Sequence, residues 1–236
     1  MKQATLEALQ ALRTGNQPAV VVSAVDGSFQ ALLDNTMAHR GGDPLPPSDV
    51  EMLHDTARTV LRSDVSRIVE LTAGVDAFVQ AFNPPLRMVI IGAVHIAQYL
   101  APMGVLAGYD VVVVDPRRSF AADERFPGVS MHKIWPDDAL EDLKPDARTA
   151  IVTLTHDPKI DDPALHVALR TDAFYIGSLG SRRTHAARVE RLQAVGFTQG
   201  DIARIHAPVG LDIGARSPAE IAVSALAQVT EALRQA

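Results

Sequence analysis

The residues best able to do chemistry collect in a few short segments. In Gly177-Ser178-Leu179-Gly180-Ser181-Arg182-Arg183-Thr184, glycines flank a serine that can cap a helix start, and two arginines follow. Free backbone N–H groups and guanidinium groups at a helix start make a phosphate or anion cradle. Arginines in a first turn oppose the helix dipole, which a bound anion or an acidic neighbour offsets. The alternative is a solvated basic patch along Arg182, Arg188 and Arg191. Thr155-His156-Asp157-Pro158-Lys159 sets an imidazole beside a carboxylate, but adjacent side chains point apart, so no catalytic dyad and no catalytic residue is assigned. His206 to Arg216 reads as a long, irregular, partly buried loop of the kind that carries function. His95, His156 and His206, with Asp157 or Asp212, have the donor types for a metal cleft. Their spacings match no ligand motif, and no metal is expected.

These segments need a scaffold, and Arg87-Met88-Val89-Ile90-Ile91-Gly92-Ala93-Val94-His95-Ile96-Ala97 supplies one. An apolar strand running through a glycine turn into a helix opens a dinucleotide-binding unit. Here Val94 stands where the fingerprint has its second glycine and Gln98 stands near its third, so NAD(P) at this turn is disfavoured. Val111-Val112-Val113-Val114 ends in Asp115, 23 positions after Gly92. That is where a ribose-binding acid sits in such units, although Asp115 can equally open a turn with Pro116. Arg117 and Arg118 suit an anion or a solvated surface.

The strands Met88 to Gly92, Val111 to Asp115, Ala150 to Thr155 and Phe174 to Gly177 alternate with helices, the pattern of a parallel sheet covered on both faces. The helices run over His95 to Leu106, Pro163 to Arg170, Arg182 to Val195 and Pro218 to Leu233. Ser181 and Gly196 bracket the third, while Ser217, Pro218 and Glu220 fill the N-cap, N1 and N3 positions of the fourth. Residues 1–85 read as a small α/β domain: a helix over Leu6 to Leu12, a strand at Ala19 to Val25, a turn at Asp26-Gly27 and a strand toward Leu33. Gly41 to Pro47 reads as a loop, and Ser48 with Glu51 as the capping box of a helix whose face is Val50, Leu53, Ala57 and Val60. Asn83-Pro84-Pro85 continues neither helix nor central strand and sets the boundary, with a Rossmann-like doubly wound α/β domain over residues 86–236.

A chain of 236 residues, 47% hydrophobic, buries a sizeable core. Its net charge of −6 argues against nucleic acid, whose binding rests on basic surface. Small molecules and proteins are the expected partners. The absence of cysteine excludes disulfides, thiolate nucleophiles and thiolate metal sites. No apolar run approaches the roughly 18 residues of a membrane span, and the start has no signal-peptide core, so a cytoplasmic protein is expected.

Taken together, Ile91 to Ala97, Val114-Asp115-Pro116-Arg117, Leu154 to Lys159, Tyr175 to Thr184 and Pro208 to Arg216 resemble the XdhC/CoxI family. These are accessory factors of xanthine dehydrogenase and of related molybdenum hydroxylases such as carbon monoxide dehydrogenase. The match spans residues 83 to 236, and its last three motifs are specific in combination. The resemblance implies a Rossmann-like C-terminal domain and a chaperone rather than a turnover enzyme. Such a factor binds molybdenum cofactor as cargo, helps its sulfuration with a cysteine desulfurase, meets cofactor-synthesis proteins and hands the cargo to an apo-hydroxylase client. A homodimer is also in keeping with it. It further implies that Gly92, His95, Asp115, His156, Asp157, Gly180, Ser181, Arg182, Arg183, Asp212, Gly214 and Arg216 face the cofactor. The chain departs from the family in Val94 and in lacking the N-terminal glycine-rich segment with a cysteine. An NAD(P)-dependent oxidoreductase, drawing on Gly92 and Asp115, and a ligand-free scaffold in hydroxylase assembly are the alternatives.

Overall fold

Stretches of β-branched residues with almost no polar interruption form the centre of the C-terminal half, because a strand hidden on both faces has no side left for polar groups. A computed structural model describes residues 1–121 and 123–235, with Asp123 described through its backbone alone. The chain divides into two compact units, Met1–Pro84 and Pro85–Ala236.

The first unit runs α1 (Gln3–Thr14), β1 (Ala19–Ala24), β2 (Gln30–Asp34), β3 (His39–Gly42), α2 (Val50–Ser63), β4 (Arg67–Glu70) and β5 (Asp76–Phe82). Its strands form one antiparallel sheet in the order β3-β2-β1-β5-β4. Leu53, Ala57 and Val60 of α2 pack with Val20, Val22, Leu33 and Val79 on one face. Two sequence expectations are corrected. Gly41 and Gly42 are strand residues, not loop; at Gly42 (φ +82°) a side chain would run into the Gln30 carbonyl, so glycine marks a close approach within the sheet. The Ser48 capping box does not form. Asp49 is the residue before α2, and its carboxylate accepts from the Ser48 hydroxyl (2.6 Å) and from the Thr72 amide and hydroxyl (2.8 and 2.7 Å), a tertiary tether in place of a local cap.

The second unit runs β6 (Leu86–Ile91), α3 (His95–Leu106), β7 (Tyr109–Val114), a 3₁₀ turn (Asp123–Arg125), β8 (Ser130–His132), α4 (Pro136–Leu143), β9 (Thr149–Thr153), α5 (Pro158–Ala168), β10 (Tyr175–Ser178), α6 (Arg182–Ala194), α7 (Gln199–Ile202), β11 (Ile205–His206) and α8 (Pro218–Gln235). Its six strands pair in parallel in the order β11-β10-β9-β6-β7-β8, the doubly wound Rossmann arrangement with its reversal between β6 and β9. The period of two along β6 divides the core. Met88 and Ile90 join the cluster under α3 and α8, whereas Val89 and Ile91 join the cluster under α4, α5 and α6. All four are fully buried.

Helix α5 starts at Pro158, five residues before the expected Pro163, which lies inside it. Asp157 caps this start by accepting from the Lys159 amide (3.0 Å), and Pro158 occupies N1, where its missing N–H costs nothing. Ser181 caps α6, and Glu220 receives the Arg216 and Ser217 amides at the head of α8 (2.8 and 2.9 Å).

The loop after β11 is anchored from several sides. Val209 N–H donates to the Ser178 carbonyl (3.1 Å), Gly210 N–H to Gln228 Oε1 (2.8 Å), and Ser224 Oγ to the Leu211 carbonyl (2.8 Å). Gly210 (φ +97°) lies directly against Ser224 Oγ and the α8 backbone, leaving no room for a side chain. Gly210→Ala is therefore expected to combine backbone strain with overpacking and to cost about 2 kcal/mol or more. At roughly 2–4 °C per kcal/mol for a unit of this size, the melting temperature falls by about 4–8 °C. An unchanged melting curve would show that the loop is not held as tightly as the contacts imply.

Candidate functional site

At the switch between β6 and β9, the glycine turn meets the β9–α5 loop. Gly92 takes φ +106°, and the Thr155 methyl occupies the space a Gly92 side chain would need. The Ala93 N–H points to Asp115 Oδ2 (2.8 Å). Arg117 closes over the same carboxylate, its amide and Nε donating to Oδ1 (both 2.9 Å) and its Nη2 to Oδ2 (2.7 Å). The guanidinium also lies 4.3 Å above the Phe120 ring. Asp115 is completely buried. Burial opposes its ionisation, but the hydrogen bonds from Arg117 and Ala93 outweigh that and hold the carboxyl below its ordinary range. Both of its oxygens already serve the protein, so a ribose finds no free acceptor here. Val94 is extended and packs against the core under α3, so what closes the turn is Thr155 and the Asp115–Arg117 pair.

Beyond the turn, His156 is exposed and held at φ +61°, a left-handed conformation that a non-glycine residue adopts at a cost of about 1–2 kcal/mol. Its Nδ1 lies 3.7 Å from where a Gly180 side chain would begin. Below it, Thr155 Oγ1 donates to Asp161 Oδ1 (2.6 Å) while Asp161 Oδ2 has no partner among the described residues. Arg188 is 2% exposed and donates from Nη2 to the Leu179 carbonyl (3.0 Å); its Nε and Nη1 are unpartnered among the described residues. Burial pushes the Asp161 carboxyl up and the Arg188 guanidinium down, and their mutual attraction only partly offsets both shifts. Arg191 forks onto Asp162 (2.5 and 3.0 Å). The solvated patch is thus corrected: one turn of α6 carries Arg188 inward beneath the loop, Arg191 is spent on α5, and Arg182 and Arg183 remain exposed.

A cavity of about 420 Å³ opens beside this region. Leu179 and Arg182 form one side, the 208–212 loop with Gly214 and Ala215 a second, and Ile221 and Ser224 of α8 a third. Its wall is fixed by the anchors of the 208–211 loop, and Gln228 Oε1, which holds Gly210, also accepts from the Tyr175 hydroxyl (2.6 Å). Burial pushes the Tyr175 phenol up. The side chains of Arg182 and Asp212 make no hydrogen bond or ion pair among the described residues.

The twelve sequence-selected residues therefore divide. Gly92, His95, Asp115, His156 and Asp157 surround the β6–β9 switch, with His95 exposed at the first position of α3. Arg182, Asp212 and Gly214 line the cavity, and Gly180 stands between the groups, against His156 and Thr184. Ser181 is committed to the Thr184 amide (3.1 Å), Arg183 is exposed and outside the cavity lining, and Arg216 sits at the head of α8. His206 stacks on the Tyr175 ring at 4.7 Å. Sequence reading missed Thr155, Asp161 and Gln228. Asp161 carried a signal, an acid among Ile160, Ala164, Leu165 and Ala168 on a buried helical face.

A family model described as the XdhC Rossmann domain matches residues 88–229. The chain is 32% identical over 154 residues to the molybdenum cofactor insertion chaperone PaoD of Escherichia coli K12, covering 65% of this chain and 42% of PaoD. It is 34% identical over 158 residues to the E. coli K12 protein YqeB, covering 65% of this chain and 28% of that one. It is 28% identical over 221 residues to a probable xanthine dehydrogenase subunit of Bacillus subtilis 168, covering 93% and 62%. The chain thus spans less than two thirds of the length of these curated relatives. A Bacillus halodurans crystal structure described as a xanthine dehydrogenase superposes with a TM-score of 0.72 at 22% identity, over 97% of this chain and 66% of that one, and shares its fold.

The Asp115–Arg117 pair, a buried acid under a half-buried guanidinium, yields a pH-dependent expectation. Asp115→Asn removes the counter-charge of the half-buried Arg117 and lowers the unfolding free energy by about 1–3 kcal/mol at pH 7. The native carboxyl titrates below the unfolded value of about 3.9, so the advantage of wild type is complete above that pH and shrinks as pH falls through the lower native value. Denaturant titrations at pH 7 and pH 3, followed by the fluorescence of Trp135 in the same unit, measure it. Equal stability of the two proteins at pH 7 would remove the pair as a structural element.

Proposed function

Since this chain belongs to the XdhC family, we propose that it is an accessory factor that binds molybdenum cofactor and assists its maturation and insertion into a molybdenum hydroxylase. The observation that carries this reading is the cavity beyond the carboxyl ends of β10 and β11, where Arg182 and Asp212 stand without partners among the described residues. A doubly wound sheet binds its ligands beyond those strand ends. PaoD, a relative named as a molybdenum cofactor insertion chaperone, gives the cargo its chemistry, and the B. subtilis relative, named as a probable part of a xanthine dehydrogenase, points to the class of client. A hydroxylase of the xanthine dehydrogenase or carbon monoxide dehydrogenase type, in the cytoplasm, fits both.

Arg182, Asp212 and Gly214 are the proposed cargo contacts, with Arg183 beside them at the start of α6. The protein acts as a carrier; the nicotinamide reading loses support because Asp115 is consumed by Ala93 and Arg117. Sulfur from a cysteine desulfurase passes directly to bound cargo or through another protein, since this chain has no cysteine to hold a persulfide.

Guanidinium groups bound to an anion contribute on the order of 1.5–3 kcal/mol each, so Arg182→Ala or Arg183→Ala is expected to weaken cofactor retention about 10-fold or more and to lower client activation in proportion. Melting temperature stays near wild type, because both side chains are exposed. Retention of molybdenum cofactor is read by elution and fluorescence of the oxidised pterin, and client activation by hydroxylase turnover. Wild-type retention and activation in both variants would overturn the assignment.

A further inference from the structure

The switch-point crevice and the cavity differ in what they leave available. Asp115, Ala93 and Thr155 are committed to one another's elements at the crevice, while the cavity keeps an anionic and a cationic side chain unspent. We propose, building on the cofactor-carrier reading, that the cavity recognises a 2-amino-4-oxopyrimidine edge, the edge shared by pterins and guanine.

The argument begins with Asp212. An ionised carboxylate offers two acceptor oxygens and no donor, so its best neutral complement is a pair of adjacent N–H groups. The ring N–H and exocyclic amine of a 2-amino-4-oxopyrimidine are such a pair. Cytosine and adenine place an acceptor nitrogen beside their amine, which would face a carboxylate oxygen with no hydrogen to share. Nearby hydroxyl chemistry does not compete, because Ser224 Oγ is spent on the Leu211 carbonyl.

The rest of the wall suits the faces of a ring. Leu179, Val209 and Ile221 supply apolar surface, and a volume of about 420 Å³ falls within the roughly 300–1,000 Å³ typical of small-molecule sites. Arg182, on the same cavity, sits where a phosphate or carboxylate carried by the ring would be neutralised. An acid for the edge, apolar walls for the ring and a guanidinium for the appended anion form one recognition set.

The test uses the full chain and 6-carboxypterin, whose intrinsic fluorescence reports binding, with GMP and CMP as competitors. Saturable 6-carboxypterin binding displaced by GMP at least 10-fold better than by CMP is expected, and GMP binding alone would support the edge while naming guanine as its source. Asp212→Asn, which replaces one acceptor by a donor at an exposed position, should weaken 6-carboxypterin at least 10-fold with an unchanged melting temperature, and Asp212→Glu should restore part of the loss. Ala215→Trp, filling the cavity, should abolish binding. Wild-type affinity in Asp212→Asn, or equal displacement by CMP and GMP, would overturn the proposal. If the chain activates a hydroxylase with molybdenum cofactor yet binds neither 6-carboxypterin nor GMP, edge recognition falls while the carrier reading stands. If 6-carboxypterin binds as expected but no hydroxylase is activated, the edge stands and the carrier reading falls.

Discussion

The organising constraint of the C-terminal unit is that its central parallel strands are buried on both faces. A strand with helices above and below can carry almost nothing polar, so the unit's chemistry is driven to the loops at the strand ends. Met88 to Ile91, Val111 to Val114 and Ala150 to Val152 show the consequence, each a run of buried apolar residues ending where polarity begins. The carboxyl ends then gather what the sheet excludes: Asp115 after β7, Thr155 to Asp157 after β9, Gly180 to Arg183 after β10 and the 208–216 loop after β11. Chain reversal between β6 and β9 opens a crevice among these loops, and the head of α8 completes a separate cavity.

Charge is handled in two ways within that layer. Asp115 is fully satisfied, with a backbone amide and a forked guanidinium on its two oxygens, and this locks the glycine turn to the loop after β7. Asp161 and Arg188 are buried without full hydrogen bonding, each leaving polar atoms unpaired among the described residues. Buried charges in such a state stabilise a fold weakly at best, because desolvation rivals their attraction. Their placement under the His156 and Gly180 loops connects α5 and α6 beneath the cavity rim, where the chain also tolerates the left-handed His156. The left-handed His156 and the incompletely paired Asp161 and Arg188 thus lie in the same loop layer as the unspent Arg182 and Asp212.

The consequence for ligand choice is that a Rossmann scaffold does not bring a Rossmann ligand with it. The turn after β6 keeps the strand, the glycine and the acid of a dinucleotide unit, yet its acid and one of its amides are turned inward to the protein. A scaffold of this kind specifies where loops converge; the side chains left without protein partners specify what they hold.

Sequence alone determined β6, β7, β9 and β10 of the C-terminal unit, though not the short edge strands β8 and β11, together with the helix caps at Ser181 and Ser217 and the family-bearing motifs, because each depends on neighbours close in the chain: runs of β-branched residues, and a serine or glutamate one turn from the amide it caps. Tertiary structure decided the rest. Whether Asp115 meets a ribose or is taken up by Ala93 and its near neighbour Arg117, whether Arg188 is solvated or buried, and whether Gly42 is loop or strand all turn on what the fold packs opposite them. The same holds for the division of the polar segments into crevice and cavity. Local patterning sets backbone conformation through short-range sterics and hydrogen bonds, but a polar side chain's role is fixed by its partner, and only the folded chain brings that partner within reach.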